Sequence, residues 1–493
     1  MFKHELFEIL STFSEEDLNR FERFLLSPYF NTSKRISKLF AVIRKSYPHF
    51  SDQSLSKETL YKHISPNRNY NDSTIRSLLW ILEDLAKMYL RVEKSLESEV
   101  DNSLLKIYSE KKLYHLFESE FEKCKVNLQK VRQTEKFDFY KEFLIEVERF
   151  NHLTVNGKLT RKSLADQKYE SLHGILINLF NLFLTEFVNV SMHAIEFSET
   201  LHVKSDLILI NDIHKTINFP KLLRVIQKDN PSDFILDLYF ALYKMFVSKS
   251  NIKNYHRYKS LLKKSIPSLN PDEISFHYSK LISYCMTKAY SISEFKTELF
   301  SLFKELIENH YYITKKEKYL RPPLFRSILL TGLMVKQFKW CQNFIKNSPQ
   351  FLHDADKENM KNFGYAYFYF EMEDFKKTLA YLNKFDVDYF IYLYDIKNLT
   401  VKSFYELGYY EEALSYIKSY KKFLRKNLLV SDIRRVRHIA FISFVEKIIL
   451  KSNKGNKELD FLKHLVNEAD NVSYKDWLIQ KINKLLKHSD KAV

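Results

Sequence analysis

Residues 324–347 read LFRSILLTGLMVKQFKWCQNFIKN, residues 362–385 read NFGYAYFYFEMEDFKKTLAYLNKF, and residues 399–420 read LTVKSFYELGYYEEALSYIKSY. Each stretch sets an aromatic just after a short polar turn: Phe338, Phe375 and Tyr410. Three residues on stands a small or short side chain, namely Cys341, Thr378 or Ala413. Seven residues on stands an aliphatic, Ile345, Leu382 or Ile417, and nine residues before the aromatic lie Leu329, Ala366 and Val401. The aromatics recur at intervals of 37 and 35 residues. Apolar positions three and four apart on each side of a turn describe a helical hairpin, and the small residue belongs where the two backbones come closest. One hairpin cannot bury both of its faces, so such units stack.

This pattern resembles the tetratricopeptide repeat over about 320–425. The third unit carries the resemblance best, with Phe404, Gly408, Tyr410, Ala413, Ile417 and Tyr420 at consensus-like offsets. The other two depart from it: Lys336 and Glu373 stand where the turn glycine belongs, and Cys341 and Thr378 replace the small alanine. The resemblance implies a superhelical array of hairpins and leaves the ligand unspecified. The whole chain also resembles large uncharacterised bacterial helical-repeat proteins through its Ser27-Pro28-Tyr29-Phe30 segment, which implies a bacterial cytoplasmic origin and no activity.

Composition extends the helical reading outward from that stretch. Only six of the 493 residues are glycine, against about thirty-five at average usage. Tight hairpin turns and phosphate-cradling loops depend on glycine, so a β-rich or nucleotide-loop fold is disfavoured. The fold class expected is all-α, an α-solenoid-like array with four parts: an N-terminal helical module (1–100), a central helical array (101–315), the repeat-like hairpins (316–430) and C-terminal capping helices (431–493). In the first part, Ser14 followed by Glu15, Glu16 and Asp17 starts a helix, and Ile75, Leu78, Leu82, Leu85, Tyr89 and Val92 form one stripe. The central part reads as helices over 103–129, 135–152, 165–196, 204–216, 232–248, 251–264, 271–290 and 292–310. The capping pair would use Leu459, Phe461, Leu462 and Leu465, then Trp477, Leu478, Ile482 and Leu485.

Chemistry-bearing motifs do not stand out. The three cysteines (Cys124, Cys285, Cys341) are far apart, which disfavours a disulfide framework or zinc site and fits a reducing compartment. No phosphate-binding, dinucleotide-binding or nucleophile-elbow signature occurs, and histidines such as His193 and His310 lack partners at meaningful spacing. The segment from His173 to Ile195 is long and apolar enough to span a bilayer. Glu186, Asn178, Asn181 and Asn189 argue instead for a helix buried on several sides within the array.

The formal charge is +17. The surplus is mostly lysine, which an A+T-rich coding sequence alone would produce. One stretch is denser: Lys418, Lys421, Lys422, Arg425, Lys426, Arg434, Arg435 and Arg437 are opposed only by Asp432. It reads either as a docking surface for an acidic peptide, phosphate or nucleic-acid backbone, or as cations at a helix C-terminus, where the dipole suits them. A helix-turn-helix over Ser56–Val92 is disfavoured by a turn of about nine residues where three or four are usual. The expected function is a non-enzymatic protein-interaction scaffold, without cofactor, metal or membrane span, holding a peptide or protein in a groove. The alternative is an RNA- or DNA-binding protein using the basic surface.

Overall fold

The structure is a computed structural model that describes residues 4–48, 50, 55–96, 102–132, 139–155, 161–201, 208–229, 234–248, 251–289, 292–385, 392–426, 432–451 and 456–489. Among these residues every regular element is helical and no strand occurs. The chain divides into two compact units, one of residues 1–133 and 138–183, the other of residues 184–493.

The first unit begins with α1 (Glu5–Ser11), α2 (Glu15–Leu26), α3 (Lys34–Arg44), α4 (Lys57–Ile64) and α5 (Asp72–Leu96). Ser14 caps α2 as the sequence leads one to expect. Its side chain accepts from the Asp17 N–H while the Asp17 carboxylate accepts from the Ser14 N–H, a reciprocal capping box. The five helices share one core in which Phe13, Phe21, Phe24 and Tyr89 meet ring to ring. Next come α6 (Ser103–Glu110), α7 (Tyr114–Arg132) and α8 (Phe139–Val155), around Leu105, Phe117, Phe121, Cys124 and Ile145. The single helix expected over 103–129 is thus broken at Lys112, whose φ of 56° no glycine announces. α9 (Arg161–Leu201) is continuous across the boundary between the units.

The second unit continues with α10 (Ile208–Thr216), α11 (Phe219–Asp229), α12 (Phe234–Val247), α13 (Ile252–Ser265), α14 (Pro271–Ala289) and α15 (Glu294–Glu308). Then follow α16 (Pro322–Met334), α17 (Phe338–Asn347), α18 (Lys357–Glu371), α19 (Phe375–Leu382), α20 (Leu393–Glu406) and α21 (Tyr410–Lys426). The chain closes with α22 (Asp432–Lys451), α23 (Asn456–Glu468) and α24 (Lys475–Ser489). From α12 onward the helices pair as α12/α13, α14/α15, α16/α17, α18/α19 and α20/α21, and α22 to α24 follow in sequence. From α16, alternate helices also touch: α16 with α18, α18 with α20, α20 with α22 and α22 with α24.

The aligned sequence positions fall at matching structural positions. Phe338, Phe375 and Tyr410 each open a second helix. The residues nine before them, and Cys341, Thr378 and Ala413 three after, are all fully buried. The aromatics themselves remain half-buried or exposed, and Phe375 and Tyr410 pack back on Phe370 and Tyr405 across the turn. Small size at the third position has a direct reason at Gly332, where an added Cβ would stand 2.6 Å from the Cys341 Sγ.

The three turns share one backbone shape. Lys336, Glu373 and Gly408 adopt φ of 59°, 59° and 73°. In each, the next N–H reaches back five residues to a carbonyl: Gln337 to Gly332, Asp374 to Tyr369 and Tyr409 to Phe404, at 2.9–3.0 Å. These are Schellman closures, which favour glycine because a side chain in the left-handed region is strained. Lys112 and His310 close α6 and α15 the same way.

In the C-terminal pair Leu459, Leu462, Leu478 and Ile482 are buried as the sequence reading places them. Phe461 is a correction: it is 58% exposed, and Val466 takes the inward position.

Candidate functional site

The first helices of successive hairpins contribute polar side chains to a cleft in the second unit. Between α14 and α16, with residues 312–321 as a third wall, lies this cleft of ≈ 540 Å³. Its wall mixes hydroxyls from Ser275, Ser279, Tyr312, Thr314, Tyr319 and Ser327 with apolar Ile282, Leu306, Pro323 and Leu324, and Glu317 and Arg321 are at hand. Pro322 and Pro323 open α16 at positions where no amide N–H is needed.

Further along α16, Arg326 makes a two-pronged ion pair with Asp395 of α20, Nε to Oδ2 at 2.6 Å and Nη2 to Oδ1 at 2.8 Å. Burial works against the guanidinium charge, but the Asp395 carboxylate outweighs it and raises the Arg326 pKa. Beside this pair, burial and then the Asp395 charge push the Tyr367 phenol well above its ordinary value. Tyr474 lies beside Tyr367 and Asn398, and burial pushes its phenol up to about 12. Asn398 accepts from the Tyr420 hydroxyl at 3.2 Å, and its Nδ2 lies 3.0 Å from His438 Nδ1. The Arg326–Asp395 ion pair thus ties α16 to α20, and separate hydrogen bonds through Asn398 tie α20 to α21 and α22. In the aromatic run 365–370, Tyr367, Phe368 and Phe370 are buried, while Tyr365 and Tyr369 stack on Tyr381 of α19.

Lys402, in the middle of α20, is 7% exposed. Its ammonium lies 4.2 Å from the Phe370 ring centroid, 4.8 Å from Tyr474 and 5.7 Å from Trp477. Burial holds its pKa down to about 8, and Glu371 and Glu406 counter this only in part. Glu406 is engaged elsewhere, accepting from Trp477 Nε1 at 2.8 Å and pairing with Lys481 at 2.5 Å.

A second buried polar chain joins α12, α13 and α14. The Tyr258 hydroxyl lies 2.7 Å from His277 Nδ1, His277 Nε2 lies 3.4 Å from Glu273, and Tyr239 donates to Glu273 at 3.3 Å. All four residues are at most 1% exposed and none lines the cleft. A tyrosine–histidine–glutamate order suggests proton transfer, but a group sealed from solvent and from any cleft braces helices instead.

The basic residues singled out in the sequence fall on two helices. Lys421 is ion-paired with Glu446, whereas Lys422 and Arg425 are exposed on α21. Arg435 is half-buried near Tyr394, and Arg437 is exposed. The side chains of Lys426 and Arg434 lie outside the described residues. The lysines and Arg425 occupy the last turns of α21, where the helix dipole suits them. The dipole does not account for Arg434, Arg435 and Arg437, because they belong to the first two turns of α22, the positive end.

Sequence reasoning located this basic stretch but not the cleft, the Arg326–Asp395 pair or Lys402. The cleft residues come from three separate segments, and the ion pair joins residues 69 apart. No local spacing carries such contacts. No family model, curated protein or solved structure matches this chain.

Proposed function

We propose that this protein is a non-enzymatic interaction scaffold whose hairpins belong to a tetratricopeptide-like superhelical array in the cytoplasm. An extended peptide segment of a partner protein would lie along the first helices of the hairpins and enter the cleft between α14 and α16. The observation that carries this reading is the cleft wall. Ser279 and Ser327 donate to the carbonyls of Phe276 and Pro323 and keep lone pairs for a peptide N–H, while the Ser275 and Thr314 hydroxyls can donate to a peptide C=O, which suits a backbone with its alternating N–H and C=O groups. The Arg326–Asp395 pair and the Asn398–His438 contact support it by bracing neighbouring first helices, and a preorganised surface loses less entropy on binding. The test is a library of extended peptides titrated against the full chain by fluorescence anisotropy. Ser279→Arg and Ser327→Arg, which fill the cleft, should weaken binding at least tenfold. Unchanged affinity in both variants would sink the proposal.

One observation favours the second reading, an RNA- or DNA-binding surface. Arg434, Arg435 and Arg437 gather in the first two turns of α22, and helix starts of this kind bind phosphate. Reversing Arg434, Arg435 and Arg437 to glutamate should then lower affinity for a homopolymeric RNA and flatten its dependence on salt. Retention of the wild-type salt slope would reject this surface.

A further inference from the structure

The first-unit part of α9 is turned inside out. Against α8 it places small and polar residues: Ser171 is fully buried and donates to the Glu146 carbonyl (3.1 Å) and carboxylate (3.0 Å). An added Cβ at Gly174 would stand 3.1 Å from the Glu146 side chain. Asn178 lines the small cleft that α9 forms with α7 and α8, and Asn181 is 3% exposed. The large apolar residues face out. Tyr169, Leu172, Leu176, Leu179 and Phe183 are 72%, 48%, 64%, 47% and 37% exposed.

Those five residues are spaced three, four, three and four apart. That is the 3.5-residue repeat of a coiled-coil seam, the pattern that fits another helix at close range. A bilayer fits poorly. The apolar face of α9 is broad, because half-exposed Ile175, Phe180 and Leu182 flank the stripe, but charge lies beside it. Its neighbour α8 brings Glu142, Glu146 and Arg149 alongside, and Arg149 lies 3.8 Å from Glu170 of α9. Such charges are costly within hydrocarbon.

We propose that this stripe is the interface through which two copies of the chain associate, α9 against α9. Two features select a second copy over a foreign helix. The stripe reads aromatic, leucine, leucine, leucine, aromatic, so turned end for end it presents nearly the same profile. A two-fold interface requires this kind of self-complementarity. Of the flanking positions Lys168, His173, Ile175, Phe180 and Leu182 only Lys168, at one end, is a carboxylate, lysine or arginine, and such charges are what ordinarily select a different partner helix. The area is sufficient. With about 150–250 Å² for each aromatic side chain and somewhat less for leucine, the exposed fractions amount to roughly 500 Å² per chain. A symmetric pair then buries on the order of 1,000 Å², the threshold for a specific interface.

The test is sedimentation of the full chain over a range of concentrations. The wild type should be a dimer at micromolar concentration. Leu176→Glu should be monomeric with an unchanged helical circular dichroism spectrum. Leu176→Cys provides the second readout, because Cys124, Cys285 and Cys341 are all buried and leave the new thiol as the reactive one. Mild oxidation with copper–phenanthroline should link two copies through it. A wild type that stays monomeric at about a hundred micromolar, a Leu176→Glu variant that stays dimeric, or a Leu176→Cys variant that does not cross-link would each overturn the proposal. So would flotation of the wild type with phosphatidylcholine–phosphatidylglycerol vesicles, which would assign the stripe to lipid.

Discussion

The hairpins of 322–426 and the helix pair α8–α9 use similar amino acids and sort them oppositely. In the hairpins Leu329, Ile345, Val401 and Ile417 are fully buried, and exposed positions are mostly charged or polar. Along α9, Ser171 and Asn181 are inside while Leu172, Leu176 and Leu179 face out. Among the described residues the hairpins cover most of their apolar surface, and the outer stripe of α9 is left exposed. Helical periodicity is common to both regions; what differs is which side of the helix the apolar residues take.

Truncating a leucine is the largest way to break this comparison. Leu329→Ala should cost about 3 kcal/mol, as a fully buried leucine does. Leu176→Ala in dilute, single-copy conditions should change stability by less than about 0.5 kcal/mol. Hydrogen exchange resolved to α16 and α9 separates the two, and equal losses would erase the distinction.

Glycine substitution sharpens it. Gly332→Ala drives a Cβ to 2.6 Å from Cys341 and 3.2 Å from Phe300, an overpacking expected to cost about 2 kcal/mol. Gly174→Ala meets only the Glu146 side chain, at 3.1 Å. That flexible chain can yield, and alanine's higher helix propensity, worth up to about 1 kcal/mol, makes the change neutral or stabilising. Urea midpoints of the two variants should move in different directions or by clearly different amounts.

At Lys402 the hairpin region keeps a charged group inside at a loss. Lys402→Met should stabilise it by about 1–3 kcal/mol near neutral pH, by removing a buried ammonium. The sign of the pH dependence follows from linkage. The folded pKa of about 8 lies below the ordinary 10.5, so the folded state binds fewer protons and its stability rises with pH between these values. The advantage of methionine should therefore shrink from pH 8 and vanish above pH 10.5, as thermal unfolding across that range would reveal.

The smallest effects belong to the turns. Lys336→Gly and Glu373→Gly should each stabilise by about 0.5–1 kcal/mol, and Gly408→Ala should destabilise by about 1 kcal/mol. Chemical denaturation of the three variants checks the signs.

These turns also show how much was legible. The 35–37-residue period was visible because Cys341, Thr378 and Ala413 are confined by packing, and confinement leaves a trace in side-chain size. The turns at Lys336 and Glu373 were visible only by alignment with Gly408, and those at Lys112 and His310 were not, since nothing in a lysine or histidine marks a positive φ. The apolarity of α9 was plain from the sequence. Its outward direction was not, because periodicity shows that a stripe exists without saying what covers it, and burial on several sides was the expectation. The basic stretch was found by composition, yet only the break between α21 and α22 placed its arginines at a helix start. Cleft and ion pair stayed hidden because their members are distant in sequence.

The succession of contacts from α16 to α24 has a consequence for how the chain reaches this state. Each helix rests on the one before it or on the one before that, and the longer ties, Arg326 to Asp395 and Trp477 to Glu406, span only 69 and 71 residues. Low contact order favours rapid folding. Synthesis delivers residues at about 5–20 per second, slow beside hairpin formation. Each hairpin can therefore settle on its predecessor while the next is still being made, so that the C-terminal part of this protein grows as an ordered polymer.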